Sequence, residues 1–195
     1  PRYRTFAQGE TVRTSGLRFP VIVKPNAEGS SKGIADVCIA KSAEELSTLV
    51  QKNLSLYGGS VLIEEFISGR EFTVGLLGNG ETLKVFPPME IIYHASPIEG
   101  FNVYNYTVKQ EYKKYVTYRC PAEIPSEMER ELVRLAKKVF LALGCRDFAR
   151  VDFRADEAGR LYFIEINPLP GLAPHYSDYP MLAEFSGVSH EDLVC

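Results

Sequence analysis

The sequence has little of what marks a nucleic-acid-binding or membrane protein. Its net charge is −3, and no dense patch of Lys and Arg provides a basic field for nucleic acid. No apolar run approaches the roughly 20 residues that span a bilayer, and no segment has the pattern of a signal peptide. We therefore predict neither a nucleic-acid partner nor a membrane partner.

Cysteine is also sparse. The cysteines are scattered, with no Cys-x-x-Cys spacing and no neighbouring histidine cluster, at Cys38, Cys120, Cys145 and Cys195. This distribution fits reduced cytosolic thiols better than a zinc site or a disulfide framework. We therefore expect a cytoplasmic protein.

Length and composition indicate a globular chain with one large domain or two small lobes. Its 195 residues are 45% hydrophobic and 24% charged. The mixed order of strands and helices favours an α+β fold, with antiparallel or mixed sheets and packed helices. We expect a first lobe at 1–88 and a second at 89–195. Because the sequence starts at Pro1 in a polar stretch, we also expect it to be a piece of a longer protein.

Capping and turn signals predict several element boundaries. Two capping boxes, each a Ser followed three residues later by a Glu, predict helix starts at Ser42 and Ser126. Asn79-Gly80 predicts a hairpin turn. The segment from Tyr104 to Tyr118 lacks clear periodicity, so we expect a loop with short strand pieces there.

Two predicted strands joined by a turn at Ala158-Gly159 carry the most informative pattern. Residues two apart on a strand share a face, so Arg150 and Asp152 lie together on the first strand. Glu165 and Asn167 share a face of the second strand in the same way. The turn places Asp152 opposite Glu165 and the arginine opposite the asparagine. Such hard oxygen donors suit Mg²⁺, which also binds water and nucleotide phosphates; the alternative is a solvated polar face of an antiparallel sheet.

A lysine and a Gly-Ser loop follow one another in the first lobe. Lys24 ends a buried-type strand just before Pro25, so a cation is held rigidly there. The loop Glu28–Gly33 is flanked by glycine and rich in donors, which suits phosphate oxygens as backbone nests do. The chain contains neither a Walker A motif nor a Gly-x-Gly-x-x-Gly after a strand. The alternative is an ordinary hairpin connection.

A third pattern is an apolar strand that turns acidic, Val61–Ile67, with Glu71 a few residues further on. An extended segment offers backbone N–H and C=O groups to a purine edge, and a carboxylate accepts hydrogen bonds from ribose hydroxyls. The alternative is an edge strand with ordinary surface glutamates.

The order of these pieces resembles the ATP-grasp fold, and nearly the whole chain resembles the D-alanine–D-alanine ligase family. The segments that carry the resemblance are Val23-Lys24-Pro25 with Glu28-Gly29-Ser30-Ser31, Leu62-Ile63-Glu64 with Gly69 and Glu71-Phe72-Thr73-Val74, Leu143-Gly144-Cys145, Ala149-Arg150-Val151-Asp152, and Glu165-Ile166-Asn167-Pro168-Leu169-Pro170-Gly171. The last segment is highly specific, and the earlier ones are shared with other ATP-grasp enzymes. The resemblance implies the C-terminal, ATP-binding part of the family, without its N-terminal substrate domain.

The resemblance implies a set of ATP-binding residues: Lys24, Ser30, Ser31, Glu64, Glu65, Phe66, Ile67, Glu71 and Lys109. Within this set, Lys24 contacts phosphates, the two serines lie in a lid loop, and Glu64–Ile67 form the adenine hinge. Glu71 holds the ribose. Lys109 reaches the transferred phosphate, with Lys113 and Lys114 as alternatives.

The resemblance also implies residues for metal binding, catalysis and substrate binding. Asp152, Glu165 and Asn167 would bind two Mg²⁺ or Mn²⁺ ions. Arg150 and the backbone at Gly171 would stabilise an oxyanion, and the catalytic set is completed by Ser30 and Lys109. The implied substrate contacts are Gly171, Ser177 and Asp178.

The activity that the resemblance implies is ATP-dependent carboxylate–amine ligation through an acyl phosphate, with small amino acids as substrates, in peptidoglycan synthesis. It admits a homodimer of the full-length protein, and we expect this chain to be inactive on its own. Two departures from the family, Gln110 after the phosphate lysine and Asp178 where an apolar residue is common, leave open a ligase for a different amino or hydroxy acid. A non-catalytic ATP-binding module is the remaining alternative.

Overall fold

The computed structural model describes residues 1–27, 38–96, 98 and 100–194. The chain divides into two compact units: unit 1 comprises Pro1–Ile67 and Tyr93–Val116, and unit 2 comprises Ser68–Ile92 and Thr117–Cys195. This division differs from the lobes expected at 1–88 and 89–195. The strand Arg70–Leu77, expected in the first lobe, belongs to unit 2 because it pairs along its whole length with the strand Phe148–Ala155.

Unit 1 is built on a four-stranded antiparallel sheet in the order β1-β4-β2-β3. Its strands are β1 (Tyr3–Ala7), β2 (Val21–Pro25), β3 (Ile39–Ala40) and β4 (Ser60–Glu65). Its helices are α1 (Ala43–Tyr57), α2 (Tyr106–Gln110) and α3 (Tyr112–Tyr115). The order places β2, the lysine strand, directly beside β4, the acidic strand.

Helix α1 begins and packs as its sequence predicts. The Ser42 side chain accepts a hydrogen bond from the Glu45 backbone N–H at 3.2 Å. The Glu45 carboxylate accepts one from the Lys41 N–H at 2.7 Å, so this capping box is confirmed. Leu46 and Val50, both fully buried, pack into one core with the apolar residues of β2. This core fixes the helix against the sheet that carries the lysine.

Unit 2 is built on a six-stranded sheet in the order β10-β9-β5-β7-β8, with β6 also pairing with β5. Its strands are β5 (Arg70–Leu77), β6 (Lys84–Val85), β7 (Met89–Tyr93), β8 (Val116–Arg119), β9 (Phe148–Ala155) and β10 (Leu161–Asn167). Its helices are α4 (Ser126–Ala142), α5 (Asp178–Phe185) and α6 (His190–Val194).

Helices α4 and α5 cover opposite faces of this sheet. Phe72 and Val74 on β5 pack into one core with the buried residues of α4. Gly75, the next residue along, faces the other way, and a Cβ built on it would lie 3.3 Å from the Tyr179 ring of α5. Tyr179 is fully buried, and its hydroxyl donates to the Leu76 carbonyl at 2.8 Å. Successive residues of β5 therefore alternate between an α4 face and an α5 face.

Three local expectations differ from the structure. The capping box at Ser126 is wrong: α4 begins at Ser126 itself, and no side chain caps its first turn. The Tyr104–Tyr118 segment contains the start of β-strand Val116–Arg119, so a strand piece is present as expected, but it also contains α2 and α3. The Asn105 side chain caps α2 by accepting from the Val108 N–H at 2.9 Å. Helices of five and four residues are too short to show a helical period. Strands β5 and β6 are antiparallel neighbours joined by the 3-10 turn Gly80–Thr82 rather than by a two-residue turn.

Two further observations concern the described part of the chain. None of its helices is both long and apolar enough to cross a bilayer. Cys120 and Cys145 are free thiols.

Gly69 is the glycine that the unit 2 backbone most clearly requires. Its φ is +127°, and a Cβ built on it would lie 2.2 Å from the Ala155 carbonyl oxygen. Because backbone rather than a flexible side chain would have to move, we expect Gly69→Ala to lower the free energy of unfolding by roughly 3 kcal/mol or more. Urea unfolding of the two proteins measures this loss.

Gly159→Ala is the matched control. Gly159 also has a positive φ, +76°, but its Cβ would meet only the flexible end of Met128 at 3.4 Å. Gly159→Ala should lower the free energy of unfolding by about 1 kcal/mol, the ordinary penalty for alanine in a left-handed conformation. Equal losses in the two variants would contradict the close approach at Gly69.

Candidate active site

The polar face of the β9–β10 hairpin has the register that the sequence predicts. Asp152 pairs with Glu165, and Arg150 pairs with Asn167. On its other side β9 pairs with β5, where Thr73 stands beside Asp152. Directly paired residues share a face, so this polar row lies on the α5 face of the unit 2 sheet.

A β-bulge in β10 produces this register. Near the turn, Phe153 pairs with Phe163, and the register then shifts before Glu165. Without the extra residue, Asp152 would pair with Ile164, and the acidic residue of β10 would turn to the opposite face. The bulge therefore brings the two carboxylates together.

Arg150 joins two carboxylates on this face. Its Nε and Nη2 donate to the Asp152 carboxylate at 2.9 and 2.8 Å, and its Nη1 donates to Asp178 Oδ2 at 2.9 Å. Glu165 Oε1 lies 4.0 Å from Nη2, the outer limit of an ion pair. The side chains of Arg150 and Asp178 are only 11% and 3% exposed. Water therefore screens this pair weakly.

The charge of Arg150 is held by its neighbours. Burial of the guanidinium lowers its pKa, but the carboxylates of Asp152, Asp178 and Glu165 outweigh burial, and the pKa is raised above its ordinary value. The site thus carries a permanent cation in contact with two anions.

Two residues that sequence reasoning missed complete this network. The Thr73 hydroxyl donates to Asp152 Oδ1 at 2.7 Å. The Tyr118 hydroxyl donates to Asp178 Oδ1 at 3.0 Å. Thr73 was not identifiable because the pairing of β5 with β9 is not visible in the sequence, and Tyr118 fell in a segment expected to be a loop.

The three predicted substrate contacts are neighbours in the chain or in space; Gly171 is exposed, whereas Ser177 and Asp178 are buried. Ser177 precedes the first residue of α5, Asp178. A Cβ built on Gly171 would lie 2.7 Å from Ser177 Oγ, so the proline-rich loop passes directly over this serine. Asp178 instead points into the protein, and each of its oxygens accepts a hydrogen bond.

The predicted metal ligands have the donor chemistry that Mg²⁺ prefers. Asp152 is largely buried, Glu165 is 58% exposed, and the Asn167 side-chain oxygen accepts from the Leu169 N–H at 3.3 Å. The described residues contain no group of three or more His, Cys, Asp and Glu that could hold a metal by themselves. Two carboxylates and an amide therefore fit Mg²⁺ held jointly with water and phosphate oxygens, as is usual for this ion.

In unit 1, the predicted phosphate lysine is paired with a residue of the acidic strand. Lys24 Nζ lies 2.5 Å from Glu64 Oε2, and the side chains are 17% and 12% exposed. The ammonium has three N–H donors, so one carboxylate does not exhaust its hydrogen-bonding capacity. The pair holds the ammonium at a fixed place on the sheet.

The rest of the predicted hinge is anchored through other contacts. Glu65 accepts from the backbone N–H and the guanidinium of Arg18, at 2.9 and 3.1 Å. Burial raises the pKa of Glu65, but the Arg18 bonds prevail and hold it below its ordinary value. The Phe66 N–H donates to the Pro20 carbonyl at 3.0 Å. Within the described part of the chain, the N–H of buried Ile67 has no hydrogen-bond acceptor.

Glu71, the predicted ribose ligand, lies in unit 2 beside an arginine. Arg154 Nη1 donates to Glu71 Oε2 at 3.1 Å, and Nη2 donates to the Gly69 carbonyl at 3.3 Å. Arg154 is a buried residue. It thereby orients the Glu71 carboxylate at the beginning of β5.

The three candidate phosphate lysines of the aromatic segment differ in their surroundings. Lys109 is half-buried in the last turn of α2. Lys113 and Lys114 are exposed; Lys113 lies over the Tyr112 ring at 6.0 Å, and Lys114 pairs with Glu111 at 3.4 Å. The predicted lid serines, Ser30 and Ser31, lie outside the described residues.

Comparison with known proteins gives consistent matches. Residues 5–195 match the family model described as the D-ala D-ala ligase C-terminus. The D-alanine–D-alanine ligase of Geobacter sulfurreducens is 36% identical over 195 residues, which cover 98% of this chain and 57% of that protein. The relative from Thermotoga petrophila, of the same name, is 39% identical over 185 residues, which cover 95% of this chain and 57% of that protein.

A solved structure agrees with these relatives. The VanG D-Ala:D-Ser ligase of Enterococcus faecalis superposes with a TM-score of 0.76 at 28% identity, over 99% of this chain and 54% of that one. The chain therefore spans little more than half the length of the proteins it matches. Its fold is the ATP-grasp fold that the sequence predicted. By the match of nearly all its residues, the chain belongs to the D-alanine–D-alanine ligase family, to whose C-terminal part it corresponds.

Proposed function

We propose that the protein carrying this chain is an ATP-dependent carboxylate–amine ligase, similar to D-alanine–D-alanine ligases. The observation that carries the proposal is Arg150 bound to Asp152 and paired across the hairpin with Asn167, beside Glu165. A module that only bound ATP would have no use for a buried arginine next to its metal ligands. This argues against the non-catalytic alternative.

The proposed nucleotide contacts are assigned residue by residue. Lys24 would contact phosphates with the N–H groups that Glu64 leaves available. The N–H of Ile67 would bind the adenine edge, and Glu71, oriented by its arginine, would accept from the ribose hydroxyls. Lys109 would reach the transferred phosphate, since it is the less exposed of the lysines in its segment. The roles of Ser30 and Ser31 stay predictions.

Asp152, Glu165 and Asn167 would hold Mg²⁺ together with phosphate oxygens. Bound there, the metal neutralises the charge that the phosphates carry during transfer. Thr73 and Arg150 would orient the Asp152 carboxylate toward the metal side by occupying its inner lone pairs.

The first chemical step would be phosphoryl transfer. A carboxylate oxygen of the first amino acid attacks the γ-phosphorus, and the bond from that phosphorus to the ADP oxygen breaks, which yields an acyl phosphate and ADP. The chain contributes positioning and positive charge, which are the main requirements of this reaction. Lys24 and Lys109 would supply the charge.

The second step would be amine attack on the acyl phosphate. The nitrogen of the second substrate bonds to the acyl carbon, and the carbonyl oxygen becomes an oxyanion. Arg150 and the backbone at Gly171 would stabilise that oxyanion by donated hydrogen bonds. The oxyanion then collapses, phosphate leaves, the amine loses a proton and a peptide-type bond remains.

The identity of the second substrate is proposed from the relatives and from the departures in this sequence. The Geobacter relative is named for D-alanine at both positions, and the Enterococcus structure is named a D-Ala:D-Ser ligase. D-Alanine is the first choice, and another small amino or hydroxy acid is the alternative favoured by Gln110. A cytoplasmic location and a role in peptidoglycan synthesis belong to the same proposal.

One prediction of the proposed function concerns the metal ligand Glu165. We expect Glu165→Gln to keep the fold and to slow ATP-dependent phosphate release by roughly a hundredfold, because an anionic ligand is replaced by a neutral one of similar volume. The measurement is phosphate release by the full-length protein with D-alanine.

Glu157→Gln is the control for this variant. Glu157 is an exposed glutamate at the turn of the same hairpin, so its substitution changes the net charge equally without touching the polar face. It should leave the rate unchanged. Near-normal phosphate release by Glu165→Gln would refute the metal assignment.

A further prediction of the proposed function concerns this chain alone. Because it spans only 57% of the Geobacter relative, we expect it to bind Mg²⁺-ATP without ligating amino acids. Orientation of two reactants contributes about 7–11 kcal/mol to such reactions, and the first amino acid would not be oriented by these residues alone. Calorimetric titration with Mg²⁺-ATP and a dipeptide assay with D-alanine test both parts. Robust ligation by the 195 residues would overturn the prediction.

A further inference from the structure

Asp178 occupies an unusual position for a surface-type residue. It is 3% exposed, although it begins a helix and follows the loop that is predicted to contact substrate. Its Oδ1 accepts from the Tyr118 hydroxyl at 3.0 Å, and its Oδ2 accepts from Arg150 Nη1 at 2.9 Å. Both oxygens therefore point into the protein, so the carboxylate is not presented to a substrate.

The hydrogen bonds of Arg150 show what Asp178 adds. The fork formed by Nε and Nη2 binds Asp152 and sets one edge of the planar guanidinium. Asp178 holds Nη1, which lies outside that fork. An arginine has five N–H donors, so one on Nη1 and one on Nη2 remain outside the hydrogen bonds found among the described residues. These two donors are the ones that a developing oxyanion would use.

We propose that Asp178, oriented by Tyr118, is a positioning residue that fixes the Arg150 guanidinium for the amine-attack step. The proposal rests on the proposed function, because it gives Arg150 the oxyanion. Asp178 acts through the arginine, not by touching substrate. The acidic residue that departs from the family pattern therefore serves to hold the catalytic arginine.

The test separates the two chemical steps in the full-length protein. In a rapid-quench experiment, ADP formed in the first turnover reports phosphoryl transfer, and dipeptide reports amine attack. Asp178→Asn keeps an oxygen acceptor but removes its charge, so we expect dipeptide formation to slow about tenfold, with the ADP burst and the KM for Mg²⁺-ATP within twofold of the parent. Asp178→Leu removes both acceptors, and the loss should approach the roughly hundredfold or more seen when an oxyanion donor is lost.

Tyr118→Phe and Glu90→Gln complete the series. The tyrosine variant removes the hydroxyl that donates to Asp178 Oδ1. It should slow the same step by about threefold, less than Asp178→Asn does, because the carboxylate keeps its charge and its bond from Arg150. Glu90 is also a buried carboxylate of unit 2, and Arg70 donates to it at 2.6 and 2.7 Å. Its substitution controls for the loss of a buried ion pair and should leave both steps unchanged when assayed well below each variant's unfolding temperature.

Several outcomes would overturn the proposal. Equal slowing of both steps in Asp178→Asn, or equal slowing by Asp178→Asn and Glu90→Gln, would reduce Asp178 to a structural role. If the parent protein ligates nothing, the proposed function fails. The anchor, meaning the hydrogen bond by which Asp178 holds Arg150, is then tested separately by NMR of the Arg150 side chain. Its Nη protons should exchange more slowly in the parent than in Asp178→Asn; equal exchange would refute the anchor.

Discussion

The buried guanidinium of Arg150 is the interaction on which the arrangement of unit 2 depends. It is the cation that compensates Asp152 on β9 and Asp178 at the start of α5, and both carboxylates are largely removed from water. Removing one partner of such a group costs about 3–5 kcal/mol, because a buried charge is left uncompensated. The arginine therefore joins the first turn of α5 to the sheet, and the same contact directs its remaining donors. Stability of the helix start and orientation of the candidate catalytic group are consequences of one contact.

A second constraint is the alignment of three neighbouring strands. Thr73 on β5, Asp152 on β9 and Glu165 on β10 form one row across the sheet, each beside the next. The bulge in β10 is needed for the last of these pairings, since side chains on a strand change face with every residue. The row lies on hydrogen-bonded strands, with β5 and β9 inside the sheet and β10 at its edge. It is therefore more rigid than a row assembled from loops, which would suit ligands that hold a metal within tenths of an ångström.

The sequence predicted the parts of this site that depend on local periodicity. The pairing of Asp152 with Glu165, the start and core stripe of α1, and the α+β class follow from spacing and capping, and all are present. What the sequence left unseen depends on pairings between distant residues: 79 positions separate Thr73 from Asp152, and 60 separate Tyr118 from Asp178. The bulge could not be predicted from the sequence, because a hairpin without a bulge but with a turn one residue longer would pair Asp152 with Glu165 equally well. Helix α4 starts without a side-chain cap because Pro125, and not Ser126, occupies its N-cap position, so the Ser-x-x-Glu motif predicted a contact that does not form.

The buried position of Asp178 also changes how the departures from the family bear on substrate choice. An acidic group facing the substrate would attract a cationic second substrate or repel a carboxylate, but this one is paired with Arg150 and with a tyrosine hydroxyl. Its charge is compensated within the network, and each of its oxygens already accepts a hydrogen bond. Asp178 is therefore weak evidence for a substrate other than D-alanine, and Gln110, exposed at the end of α2, is the departure that still bears on the question. Under the proposed function, the strands of unit 2 would set the chemistry, and substrate choice would depend on the loop over Ser177, on the α2 segment and on the rest of the full-length protein.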